Sequence, residues 1–347
     1  DLSRKPRCKA IERLPLTSIR QGLHMITVYD VAGKCLTRNK DSISITDNTV
    51  WIDLLNPTAN EEAAIEQATG VDVPTREEMR EIEVSNRFYT EGSAHFMTAL
   101  LMQAVDQDSP VLTNVTFILM GKCLITVRYS TPRSFDIFAE KACRGEPACS
   151  SGSQVLIGLI ELLVQRQADH IERIQDEVEG LATNIFGQKA DSKTRGRRLD
   201  IMLRTVGKTG HLSSRALESA VSLHRTLHYF AEAAKANGVD ATLHGRIDSA
   251  ARDMGSLADH LKALSGRIAF LLDATLGMIS NEQNQIIKLF SVMAVMLMPP
   301  TLVASVYGMN FKYMPELDWP LGYPLALILM FVSALVPFLY FRRKGWL

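Results

Sequence analysis

Two uncharged apolar stretches lie close together near the C-terminal side of this chain: Leu289–Val306, 18 residues, and Tyr323–Phe341, 19 residues. As helices they span about 27–29 Å at roughly 1.5 Å per residue. That matches a hydrocarbon core of about 30 Å. Buried helices of a soluble protein are the other reading, but runs this long normally mean membrane. Residues 307–322 separate the stretches and carry Lys312 against Glu316 and Asp318. Arg342, Arg343 and Lys344 follow the second stretch with no acid. Positive charge is retained on the cytoplasmic side. The expectation is a multi-pass protein of the cell inner membrane, with both termini and the large N-terminal body in the cytoplasm and the short loop outside. Residues 1–13 are basic and lack an apolar h-region, so no secretory signal is expected there.

The 347 residues carry 38 basic and 38 acidic side chains, which argues against a nucleic-acid partner. The five cysteines form no CxxC pair and read as reduced thiols. The fold class expected is an α+β cytoplasmic domain, then long stalk helices, then two C-terminal transmembrane helices. Residues 1–152 read as the α/β domain, 153–281 as the helical stalk region and 282–347 as the pore region. Short β-branched or aromatic runs predict strands at Met25–Tyr29, Val50–Leu54, His95–Met102, Val111–Leu119 and Cys123–Arg128. Thr58 can cap a helix over Ala59–Thr69, and a charged helix is expected over Thr75–Glu83. Arg144–Gly152 has linker composition. Helices follow over Gln154–Phe186, Thr194–Ala236 and Ala241–Val306, the last about 100 Å long. Gly255, Gly266 and Gly277 recur every 11 residues of it, either as a close-approach stripe or as scattered helix glycines.

A conduction path needs a closed ring of copies, because lipid touches most of any two-span unit. Stepping down the first span from Asn310 by threes and fours gives Thr301, Met298, Ala294, Ser291, Ile287 and Asn284. The stripe is polar at both ends and apolar between, as a dewetting gate requires. It reads equally as a helix-packing seam of small residues. Neither span holds a carboxylate. A stripped cation wants hard oxygen ligands, whereas a ring of amide oxygens suits an ion that keeps its water, and Mg2+ dehydrates reluctantly. Glu316 and Asp318 at the mouth would concentrate cations. Val206-Gly207-Lys208-Thr209 resembles the end of a phosphate loop, but Met202 stands where its first glycine belongs. With no complete nucleotide motif, no enzyme activity and no cofactor are expected. An inside-negative potential supplies about 4.6 kcal/mol per 100 mV for a divalent ion.

The motifs resemble those of the CorA family of divalent cation transporters: Tyr307-Gly308-Met309-Asn310, Met314-Pro315-Glu316-Leu317, Pro299-Pro300-Thr301-Leu302 and the basic C-terminal residues. The likeness extends to Trp51-Ile52-Asp53-Leu54 with Pro57-Thr58, to residues 77–82 and to Val127-Arg128-Tyr129. It implies a funnel-shaped homopentamer that takes up Mg2+, often with Co2+ and Ni2+. Gly308, Met309 and Asn310 would form the selectivity loop. The path would be lined by Asn284, Ile287, Phe290, Met298 and Thr301, with Phe290 in place of Ser291. Arg342, Arg343 and Lys344 would form a basic collar. Regulatory Mg2+ would sit between subunits on acidic residues, for which Glu78 with Asp248 or Asp253 are the candidates. His224 and His228 have a metal-ligand spacing; with Arg225 between them and no third ligand evident, they read mainly as a solvated face. They also keep open a zinc-transporting relative of the ZntB type, against which the intact Met309 argues. A membrane-anchored sensor without flux is the reading from a different class.

Overall fold

The structure, a computed structural model, describes residues 25–33, 35–39, 45–81, 83–103, 110–187, 195–236, 239–309 and 320–346. Its sheet contains β1 (Met25–Ala32), β2 (Cys35–Asn39), β3 (Thr49–Leu55), β4 (Phe88–Glu91), β5 (Ala94–Gln103), β6 (Val111–Met120) and β7 (Cys123–Arg128). The strand order is β2-β1-β3-β7-β6-β5-β4. Every pairing is antiparallel except β3 with β7.

That parallel junction is the sheet's centre, and β3 is buried along its whole length. Side chains alternate between the two faces of a strand. Ile52 and Leu54 join Ile26, Val28, Phe96, Ile118, Ile125 and Val127 in one core. That core includes Ile65 of helix α1 (Ala59–Thr69). On the other face Trp51 stacks on Tyr29, with ring centroids 4.3 Å apart, and meets Phe138 edge-on.

Asp53 sits on that second face with its side chain 5% exposed. A buried carboxylate persists only when paired and hydrogen-bonded. Arg128 supplies the pair, its Nη2 and Nε lying 2.7 and 2.9 Å from the two carboxylate oxygens. Thr126 donates to Asp53 at 2.7 Å and accepts from the Trp51 indole at 3.0 Å. Arg128 also donates to the Ser130 carbonyl and lies over the Phe135 ring. Burial by itself lowers the Arg128 pKa, but the charge and hydrogen bonds of Asp53 outweigh it and hold it above its ordinary value.

Local signals account for the helix ends. Thr58 and Glu61 form a reciprocal capping box at the start of α1, and Gly70 closes it with φ of 70°, a left-handed conformation that glycine adopts without strain. The helix expected over Thr75–Glu83 is not formed. A single 3-10 turn, Glu78–Arg80, is followed by α2 (Val84–Arg87). Charged side chains crowd this stretch, and Met79 is the buried residue of the turn, little to hold a longer helix. Glu81 turns extended, with ψ of 141°.

Besides α2, three further elements escaped the sequence reading. Strands β2 and β4 are short, with five and four residues. Helix α3 (Arg133–Cys143) begins after Pro132 and buries Phe135, Phe138, Ala139 and Ala142. Their spacing is a helical stripe that was legible but overlooked. Helices α4 (Gly152–Phe186), α5 (Arg195–Ala236), α6 (Ala241–Tyr307) and α7 (Gly322–Arg343) lie close to their expected bounds. The turns expected at 187–192 and 237–240 fall largely outside the described residues.

The chain forms two units: Asp1–Ala182 with Val206–Ala269, and Thr183–Thr205 with Phe270–Leu347. The first combines the sheet with most of α4 and α5 and the first part of α6. Helix α5 covers the part of β5 that β4 leaves unpaired. Ser222 accepts from the Leu100 N–H at 2.9 Å, and Ser219 donates to the Leu100 carbonyl at 3.0 Å. Two hydroxyls thus satisfy an open strand edge.

Arg128→Met or Asp53→Leu alone leaves a buried charge unpaired and is expected to cost about 3–5 kcal/mol, with the double substitution recovering part of the loss. Denaturant unfolding followed by far-UV circular dichroism reads this. Single losses below about 1 kcal/mol, the scale of a surface pair, remove the ion pair as the lock of the sheet.

Candidate ion-conduction site

Helix α6 runs without interruption through the first apolar stretch and ends at Tyr307. Pro299 and Pro300 lie inside it. Proline has no N–H, so the carbonyls of Val295 and Met296 lose their i+4 donors. Thr301 donates its hydroxyl to the Leu297 carbonyl at 2.7 Å, one turn back. Its bare carbonyls and this hydroxyl make the stretch more polar along its backbone than its side chains indicate.

All seven residues named on the α6 face, Asn284, Ile287, Phe290, Ser291, Ala294, Met298 and Thr301, are exposed in the single chain. Met298 is 69% exposed, Phe290 64% and Ile287 61%. In the most apolar window of α6 only 6% is buried, and in that of α7 0%. A core helix of a soluble protein would be mostly buried. Here the apolar surface faces outward on nearly every side, as lipid or further copies require.

At the end of α6 the Gly308 N–H donates to the Ala304 carbonyl at 2.9 Å. A Cβ at Gly308 would stand 3.0 Å from that oxygen, so glycine lets the terminus close tightly. Met309 follows, 47% exposed, with its N–H on the Val306 carbonyl at 3.3 Å. Asn310, Glu316 and Asp318 lie outside the described residues.

Arg342 and Arg343 occupy the last turn of α7, where positive charge complements the helix dipole. Lys344 caps it, with its ammonium over the Tyr340 and Trp346 rings at 5.4 and 5.5 Å. Lys288 of α6 lies over the same Trp346 at 5.8 Å. Lys288 thus joins the basic cluster, a partner the sequence reading missed although it directly precedes the first span.

The regulatory candidates are placed apart. Glu78 is exposed, and its carboxylate accepts from the Thr75 N–H and hydroxyl at 2.8 and 2.9 Å. It belongs to an acidic patch with Glu66, Asp72 and Glu91. Partial burial, then the hydrogen bond and charge of Glu66, raise the Asp72 pKa. Asp248 and Asp253 are exposed on α6. Among the described residues no group of three or more His, Cys, Asp or Glu is set to hold a metal. The phosphate-loop fragment at Val206–Thr209 is helical, within α5, so it forms no anion cradle. Of Gly255, Gly266 and Gly277 on α6 only Gly255 is packed; a Cβ at Gly266 or Gly277 would meet nothing within 4 Å.

A mixed sheet packed with long helices in one unit, and two outward-facing apolar helices in the other, are the features of a two-span membrane protein. The family model described as CorA-like Mg2+ transporter protein matches residues 46–343. This chain belongs to that family. It is 32% identical over 328 residues to a magnesium transport protein CorA of Escherichia coli K12, covering 93% of this chain and all of that one. With the protein of the same name from Wolinella succinogenes it shares 33% over 307 residues, 87% of this chain and 92% of that one. Among solved structures it resembles the CorA magnesium transporter from Methanocaldococcus jannaschii, with a TM-score of 0.69 at 17% identity over 94% of this chain and 100% of that one. The cytoplasmic domain of ZntB from Vibrio parahaemolyticus is more distant, at 0.50 and 11% over 75% and 98%. These structural likenesses show the fold.

Because the Asp72 pKa is raised, its contribution to stability is present at low pH and is lost as pH rises through its folded value. Asp72→Asn is therefore expected to raise the melting temperature at neutral pH and to flatten its decline above about pH 4. Thermal melts across the carboxylate range measure both effects, and a lower neutral-pH melting temperature in the variant contradicts the assignment.

Proposed function

We propose that this chain transports hydrated divalent cations, chiefly Mg2+, into the cytoplasm down their electrochemical gradient, through a pore formed by several copies. The observation that carries this reading is the outward-facing apolar surface of α6 and α7 in a chain of this family. One chain cannot enclose a path with two helices, so identical neighbours must close the ring. Five copies follow from the resemblance, and Co2+ and Ni2+ as further ions follow from it too.

In this reading residues 1–152 are the α/β domain, 153–281 the stalk and 282–347 the pore region. Gly308, Met309 and Asn310 form the entrance, where the Asn310 amide accepts hydrogen bonds from first-shell water. A weak ligand of this kind spares the ion the dehydration that Mg2+ resists. Glu316 and Asp318 attract cations to the mouth. Asn284 and Thr301 wet the two ends of the α6 face, while Ile287, Phe290 and Met298 supply an apolar constriction able to dewet. Ser291 and Ala294 place small side chains on the intervening turns.

Arg342, Arg343, Lys344 and Lys288 sit on the cytoplasmic side by the charge rule, which places both termini there. Cations leaving the pore meet these charges as a barrier. Internal Mg2+ bound by Glu78 of one subunit with Asp248 or Asp253 of the next brakes the flow. Supporting this, Glu78 already lies in a patch of mutually repelling carboxylates that a cation would relieve.

Asn310→Ala is expected to assemble as the parent does and to lose Mg2+ flux by about tenfold or more, a barrier increase near 1.4 kcal/mol. Proteoliposomes challenged in turn with Mg2+, Co2+, Ni2+ and Zn2+ measure it. Unchanged Mg2+ flux in the variant, or no flux in the parent, leaves an anchored sensor; Zn2+ flux without Mg2+ flux makes it a zinc transporter.

A further inference from the structure

His224 and His228 stand one turn apart on α5, with their Nε2 atoms 3.2 Å from each other. The rings are nearly perpendicular, at 88°, with centroids 4.5 Å apart. Two imidazole nitrogens on one tetrahedral ion, each about 2.0–2.1 Å from it, are separated by about 3.3 Å. The pair is therefore spaced as two ligands of a single metal. An N–H···N hydrogen bond between neutral rings has a similar length, and that is the competing account.

The surroundings favour access. His224 is half-buried and His228 exposed. Phe88, Arg225, His228, Tyr229 and Glu232 line an open cavity of about 520 Å³ beside the pair. Gly255 on α6 leaves the room that His224 uses, since a Cβ there would lie 3.2 Å from its Nε2. Burial, then the neighbouring His228, lowers the His224 pKa. Asp259 of α6 acts on His224 electrostatically from across the helix pair and is itself ion-paired to Lys262 at 2.9 Å.

We propose that His224 and His228 form a binding site for a borderline transition-metal cation, of the class of Zn2+ or Ni2+. The two imidazoles are the protein's ligands, and water completes the shell. Imidazole suits Zn2+, Cu2+ and Ni2+, whereas Mg2+ requires oxygen ligands in octahedral array. The site therefore discriminates these metals from Mg2+, the chief ion of the proposed pore. It lies outside the apolar stretches of α6 and α7, so occupancy concerns the helical body and not the conduction path.

The test is titration of the full-length protein in detergent with ZnCl2, NiCl2 or MgCl2, read by calorimetry and by melting temperature. Zn2+ and Ni2+ are expected to bind saturably and raise the melting temperature, with Mg2+ at equal concentration failing to displace them. His224→Gln and His228→Gln are each expected to weaken that binding by about tenfold or more, at least as much as losing an outer-shell partner costs. The double variant is expected to lose one Zn2+ per chain. Undiminished Zn2+ stoichiometry in the double variant overturns the proposal. So does a parent protein without saturable Zn2+ binding, which leaves only the inter-ring hydrogen bond. His228 is exposed, so its variant reports on binding and not on folding. Because binding is read and not flux, the outcome is independent of whether Asn310 governs transport.

Discussion

The apolar surface of α6 and α7 is more than this chain can hide. Its most hydrophobic windows are 6% and 0% buried, while the sheet's core residues are commonly below 3% exposed. The hydrophobic effect treats those two populations differently. The sheet satisfies it internally, and the spans satisfy it with lipid or with neighbouring copies. Every functional inference about conduction rests on that outward face. A membrane also removes water from the backbone, which is why α6 can carry Pro299 and Pro300 only if the freed carbonyls face other helices or a wet cavity.

The sheet answers a different problem. Its one parallel junction sets Asp53 opposite Thr126, with Arg128 two residues further along β7 and within ion-pair reach, at the centre of the fold. Either charge by itself would be intolerable there. Together, with Trp51, Thr126 and Ser130 accepting or donating the remaining hydrogen bonds, they form a satisfied network. Such networks specify which strands meet, because a register slip would strand both charges. Two of the stretches that carried the family resemblance, Trp51–Leu54 and Val127–Tyr129, are the two halves of this network. Their part in the resemblance is thus a matter of folding, whereas Gly308 and Met309 belong to the end of the first span.

Helix limits were legible wherever a local chemical signal existed. Thr58, Glu61 and Gly70 bounded α1 because capping depends on neighbours a few residues away. The charged stretch at Thr75–Glu83 misled because propensity pointed to helix while six of its nine residues are charged and Met79 is the buried one of the turn that forms. Strands β2 and β4 were too short for period two to register. The α6 stripe was readable as a face, though whether a pore or a packing seam occupies it depends on other copies of the chain. For the regulatory carboxylates, sequence supplied candidates without geometry, since exposed acids carry no periodic signal.

By itself the sequence determined the two membrane-length stretches, the charge asymmetry about them, the long helices and the family motifs. All of these depend on composition and spacing along the chain. Only the tertiary structure decided that Asp53 meets Arg128, that serines of α5 close the edge of β5, that Lys288 shares Trp346 with Lys344, and that His224 and His228 turn their Nε2 atoms toward one another. The physical reason is range. Hydropathy and capping act within a turn or two of helix, whereas ion pairs, edge cover and ligand geometry form between groups that only folding brings together or only a side-chain rotamer aims.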